Sequence, residues 1–137
     1  MKPVLLDTGC IVALLDRREG CHHKCAKAMS ALSEPPKTCE AVIVESFYLL
    51  RHLDGAIQEI LKDIRTGAYR VPHVLAARAA EVATLLKKYA DVPMDLADAC
   101  LVDLATQTGS GRILTLDSDF KIYRWGRNRP FELLIDI

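Results

Sequence analysis

The chain carries no net charge: 18 lysines and arginines balance 18 aspartates and glutamates over 137 residues. That balance excludes a global basic field for nucleic acid, so any nucleic-acid site has to be a local patch. No apolar run reaches the length of a transmembrane helix, so no membrane association is expected. The N-terminus shows no signal peptide, since an apolar stretch begins almost at Met1 and Asp7 interrupts it. There is no repeat, low-complexity tract or linker, and the length suits one domain over 1–137 with a real core. Nor is there a disulfide framework. Five cysteines are an odd number at irregular spacing, which predicts reduced thiols and a cytoplasmic protein. Cys21-His22-His23-Lys24-Cys25 invites a zinc reading, but structural zinc wants four ligands and no second pair follows; a surface helix is the expectation.

What is present is an alternation of short apolar runs and helical periods. Residues 3–6 read as a buried strand and 10–15 as a short buried helix. A second helix is expected over 21–33, ended by Pro35 and Pro36, and Lys37-Thr38-Cys39 reads as a connector or brief strand. Residues 41–53 form a strongly apolar stretch, 56–65 a further helix, and 68–72 a connector or short strand. Residues 73–89 make a longer helix with Leu75, Ala79, Val82, Leu85 and Leu86 on its apolar face. Residues 96–108 make another, stopped by Gly109-Ser110-Gly111. Strands are expected at 112–116 and 131–135. Strands separated by helices predict a three-layer α/β/α sandwich with a mainly parallel central sheet.

Four acids stand out. Asp7 follows the first strand and Asp117 the strand at 112–116, the position where open α/β sheets place their ligands. Asp7 reads equally as the N-cap of the next helix. Glu45 sits inside the apolar stretch, flanked at i−3 and i+4 by Val42 and Leu49; it reads as a solvated acid or as one that is paired or bound to a cation. Asp98 lies among Leu96, Ala97, Ala99, Leu101 and Val102, and Asp95–Asp98 also reads as a capping box. Asp103 is expected on a different face, in solvent. Carboxylates gathered at one end of a sheet repel one another and need cations, and oxygen donors suit Mg²⁺ or Mn²⁺. Two such metals activate water and stabilise the leaving oxygen in phosphodiester cleavage. Lys121, Arg124, Arg127 and Arg129, with Tyr123 and Trp125 among them, read either as a solvated loop or as a segment that holds an RNA backbone and stacks bases.

Taken together, Leu5-Leu6-Asp7-Thr8-Gly9, Val44-Glu45-Ser46, Asp95-Leu96-Ala97-Asp98-Ala99 and Thr115-Leu116-Asp117-Ser118-Asp119-Phe120 resemble, in order and spacing, the PIN domain and within it the VapC-like toxins. Tyr123-Arg124 and Pro130-Phe131-Glu132-Leu133-Leu134 extend the likeness over nearly the whole chain. The resemblance implies a metal-dependent ribonuclease with Asp7, Glu45, Asp98 and Asp117 as its acidic cluster. It implies that Asp7 and Asp98 are the main ligands of Mg²⁺ or Mn²⁺, and that Thr115 and Thr8 orient carboxylates. Asp119 competes with Asp117 for the fourth acidic position, which Asp117 matches better. An antitoxin that fills the groove and a homodimer are implied partners. Two other readings are open. A PIN-like fold can serve as a non-catalytic RNA- or protein-binding module. Asp7-Thr8-Gly9 is also the signature of retropepsin-like aspartic proteases, whose all-β fold the helical periods oppose.

Overall fold

In the computed structural model, which describes residues 2–137, the apolar run after Pro3 forms β1 (Val4–Leu6), buried throughout. Six helices follow: α1 (Thr8–Leu15), α2 (His22–Ser30), α3 (Glu40–Leu49), α4 (Ala56–Thr66), α5 (Leu75–Lys88) and α6 (Leu96–Thr108). Then come β2 (Arg112–Leu114), a 3₁₀ turn (Ser118–Lys121), a two-stranded antiparallel ribbon of β3 (Arg124–Trp125) and β4 (Arg129–Pro130), and β5 (Glu132–Leu133). No helix among the described residues is long and apolar enough to cross a membrane. All five cysteines are free thiols.

β1 and β2 pair in parallel, as do β2 and β5. The sheet continues past β1 through single-residue parallel bridges at Lys37 and Arg70. Leu6 N–H donates to the Lys37 carbonyl at 2.9 Å and Thr38 N–H to the Arg70 carbonyl at 2.8 Å, so the connectors at 37–39 and 68–72 are edge pieces of the sheet. The order across it is therefore Arg70, Lys37, β1, β2, β5, all parallel. The chain first steps outward from β1 and then returns to β2. Right-handed crossovers put the two legs over opposite faces, giving the α/β/α sandwich. α6 packs on β1 and against α3, α5 and β3. Leu5, Leu6, Ile113 and Leu114 are at most 1% exposed, and each such side chain contributes about 1.5–3 kcal/mol on burial.

The parallel sheet removes the aspartic-protease reading, which requires an all-β fold. Other expectations also change. The strands at 112–116 and 131–135 are shorter, β2 stopping at Leu114 and β5 covering only Glu132–Leu133; the Thr115 side chain is used at the site described below. Leu75 and Ala79 face solvent; of the residues in α5 only Val82 is fully buried. The apolar stretch at 41–53 yields a helix with Val44, Tyr48 and Leu49 exposed. Asp103 is not solvated: it is 2% exposed, between α6 and α5. Arg78 donates to both its oxygens, Nε to Oδ2 at 2.9 Å and Nη2 to Oδ1 at 2.8 Å, and His73 Nε2 lies 2.9 Å from Oδ2. These hydrogen bonds and the Arg78 charge hold the carboxyl below its ordinary value against the opposing effect of burial. The chain thus carries a buried acid outside the carboxyl edge of the sheet.

Candidate active site at the carboxyl edge of the sheet

β1 ends at Leu6, and Asp7 turns the chain into α1. Its backbone is extended, and Oδ1 accepts from Thr8 N–H at 2.8 Å, so Asp7 is an N-cap. Oδ2 accepts from Thr115 Oγ1 at 2.7 Å, which ties the end of β1 to the residue after β2. Thr115 Oγ1 in turn accepts from Asp117 N–H at 3.0 Å. One buried hydroxyl thus fixes the side chain of Asp7 and the backbone of Asp117. Thr8 Oγ1 donates to Glu45 Oε1 at 2.9 Å, joining α1 to α3.

Asp98 occupies the third position of α6. The expected capping box is present: Asp98 N–H donates to Asp95 Oδ1 at 2.8 Å, and Asp95 N–H lies 3.5 Å from Asp98 Oδ2. Tyr123, fully buried, donates its hydroxyl to the same Oδ2 at 3.1 Å. Asp117 caps the 3₁₀ turn, its Oδ1 accepting from Asp119 N–H at 2.9 Å. The capping readings and the site reading therefore hold together. Asp7, Asp95, Asp98 and Asp117 are N-caps or first-turn residues of elements that begin at the carboxyl edge of the sheet, and Glu45 comes from the second turn of α3.

Asp7, Glu45, Asp98 and Asp117 line one open cavity of about 500 Å³, with Asp95 as a fifth acid and no basic residue in the lining. The electrostatics follow. Burial pushes the Asp7 carboxyl up to about 6, with Asp117 and Asp95 adding repulsion. Burial first, then the charges of Asp95 and Asp7, push Asp98 up to about 7. Glu45 is raised too, chiefly by burial and also by the charge of Asp95, against the lowering effect of the Thr8 hydrogen bond. The N-termini of α1 and α6 lie at the cavity and offset part of this repulsion. Among the described residues no three His, Cys, Asp or Glu side chains converge on one metal position. The donor set nonetheless fits a hard divalent cation, because Mg²⁺ takes one or two carboxylates and completes its shell with water and substrate oxygens.

Asp119 lies beside Asp117 in the turn but does not line the cavity. The four basic residues of the 121–129 segment are not brought to one surface. Lys121 reaches the carbonyl of Ile137. Arg124 Nη1 donates to the carbonyls of Lys121, Ile122 and Tyr123 and so closes the 3₁₀ turn. Arg129 lines a different cavity, at the start of β2, and Arg127 is exposed in the β3–β4 loop. Tyr123 and Trp125 are not available to stack bases, since both are buried. Asp95 is a further cavity acid that the apolar-context signal does not mark, although its i, i+3 spacing to Asp98 places the pair on one helix face. The partnership of Tyr123 with Asp98 has no sequence signal.

The PIN domain family model matches residues 4–126. Ribonuclease VapC26 of Mycobacterium tuberculosis (strain ATCC 25618 / H37Rv) is 28% identical over 116 residues, which cover 83% of this chain and 86% of that protein. The crystal structure of Mycobacterium tuberculosis VapC20, described as a sarcin-ricin loop cleaving toxin, superposes with a TM-score of 0.77 at 20% identity. That match covers 93% of this chain and 99% of the other. The chain belongs to the PIN domain family, as a VapC-like member.

Proposed function

We propose that this chain is a metal-dependent endoribonuclease, the toxin of a toxin–antitoxin pair. The observation that carries the reading is the cavity lined by Asp7, Glu45, Asp98 and Asp117 with no basic side chain in its wall. The curated relative, itself named a ribonuclease, supports RNA as the substrate class. Asp7 and Asp98 would hold Mg²⁺ or Mn²⁺. Bound there, the ion supplies an activated water and neutralises charge on the phosphodiester oxygens. The chain's own residues do the positioning. Thr115 keeps Asp7 in one rotamer, Tyr123 does the same for Asp98, and Thr8 holds Glu45. Glu45, held by the Thr8 hydroxyl at the cavity wall, suits a group that takes a proton from attacking water.

The same reading extends to partners. An antitoxin protein and a second copy of the chain are expected, and the exposed Val44 and Tyr48 on α3, whose Leu49 lines the cavity, support a protein contact beside the acids. A non-catalytic binding module is the weaker reading, because all four acids are present. Purified protein incubated with RNA should cut it in Mg²⁺ or Mn²⁺ and stop on addition of EDTA. Asp7→Asn should lower cleavage by at least about 100-fold, on the scale of a lost catalytic group, while circular dichroism shows an intact fold. Full activity in that variant, or in EDTA, overturns the reading.

A further inference from the structure

The amino edge of the sheet, opposite the acids, carries the reverse charge. There Lys2, Arg112 and Arg129 line a cleft of about 420 Å³ whose one acid, Glu132, is paired with Arg112 at 3.2 Å. Lys2 and Arg129 form no ion pair among the described residues. Three cations less one acid leave the cleft at +2 in a chain whose total charge is zero. The Arg129 guanidinium lies over the Trp125 ring, 5.3 Å from its centroid. Trp125 is itself fixed. Its Nε1 donates to the Pro130 carbonyl at 3.1 Å, and the indole rests on the bare backbone of Gly111, where any Cβ would collide with it. A cation on a rigid aromatic platform loses little freedom when it meets an anion, and the planar guanidinium matches two phosphate oxygens.

We propose that this cleft is a second RNA contact that grips two neighbouring backbone phosphates of the strand whose scissile bond lies at the acids; it rests on the ribonuclease reading above. An acidic cavity repels a polyanion until a cation enters, so the initial hold on RNA must come from elsewhere on the surface. β2 connects the two places. Gly111, in the cleft, and Asp117, in the acid cavity, are six residues apart, or about 20 Å at ~3.3 Å per residue. With a phosphate about every 3.4 Å along a stacked strand, a segment of roughly six nucleotides or more reaches both.

The test is binding without chemistry. A labelled RNA of about 20 nucleotides is titrated with the protein in EDTA and followed by fluorescence anisotropy between about 50 and 200 mM salt. The double variant Lys2→Gln/Arg129→Gln should bind roughly five- to tenfold more weakly at the lowest salt. Its slope of log K on log salt should be shallower by about 1.4, two phosphate contacts at ~0.7 each. Unchanged affinity and slope overturn the proposal. Inorganic phosphate, titrated alone, is the second arm. If the double variant loses phosphate binding but keeps its RNA binding, the cleft is a small-anion site and the RNA assignment fails. A parent protein that cuts RNA while the double variant keeps the full slope sinks the cleft alone. A parent that neither cuts nor binds RNA sinks the ribonuclease reading as well.

Discussion

Replacing Asp98 by asparagine separates the chemistry of the cavity from what the cavity costs the fold. Asp98 is 8% exposed and faces Asp95 and Asp7. Its carboxyl is pushed from an ordinary 3.8 up to about 7. A folded value above the unfolded one means that the fold prefers the protonated acid. Stability is then complete below about pH 3.8 and drains away as pH rises towards 7. The shift of about three units corresponds to roughly 4 kcal/mol above pH 7 at ~1.4 kcal/mol per unit, an upper figure because Asp7 shares the repulsion. Asparagine carries no charge and keeps an oxygen for the Tyr123 hydroxyl. In EDTA at pH 8 Asp98→Asn should therefore be more stable than the parent by about 2–4 kcal/mol, with a Tm higher by roughly 6–12 °C. Near pH 4 the two should nearly coincide. Urea melts followed by circular dichroism at pH 4, 6 and 8 read the difference, and cleavage by the variant should fall at least about 100-fold. A variant no more stable than the parent at pH 8, or a gap that does not change with pH, refutes the reasoning.

Thr115→Val removes the donor to Asp7 Oδ2 and the acceptor of Asp117 N–H; stability should fall by about 1–3 kcal/mol and cleavage by at least about tenfold, read by thermal melts and initial rates. Because Asp7 and Asp98 are raised to about 6 and about 7, adding Mg²⁺ near pH 6.5 should release protons into a weakly buffered solution. Apparent Mg²⁺ affinity should then climb between pH 6 and 8 as these carboxyls ionise, and calorimetry in two buffers of different ionisation heat counts the protons; a pH-independent affinity opposes the assignment of Asp7 and Asp98.

Four of the five acids at the carboxyl edge are legible because each stands against an apolar background. Asp7 and Asp117 end apolar runs, and Glu45 and Asp98 interrupt them. Asp103 departs from its expected solvent position for a physical reason. Placing it on a different face from Asp98 implies solvent only if α6 has a solvent face, and α6 is buried from Ala97 through Ala105. α5 departs in the opposite direction, with Leu75 and Ala79 exposed. Its alanines offer small residues on several sides, and periodicity does not choose among them; the ion group around Asp103 does. The basic segment shows the limit of adjacency in sequence. Extended chain carries residues 121 and 129 to opposite ends of the sheet, while Tyr123 and Trp125 pack inward on the way.

The clasp of His73 and Arg78 on Asp103 implies an order of disassembly. α5 buries one side chain fully, so little hydrophobic free energy ties it down. Its attachment rests on three polar groups near its first turn, together with half-buried Leu85 and Leu86 towards its end. Such a helix should open sub-globally, exchanging its amide hydrogens and admitting a protease before β1, β2 and α6 do. Because α6 carries Asp98 at its other end, the fold can loosen one flank and leave its acids in place.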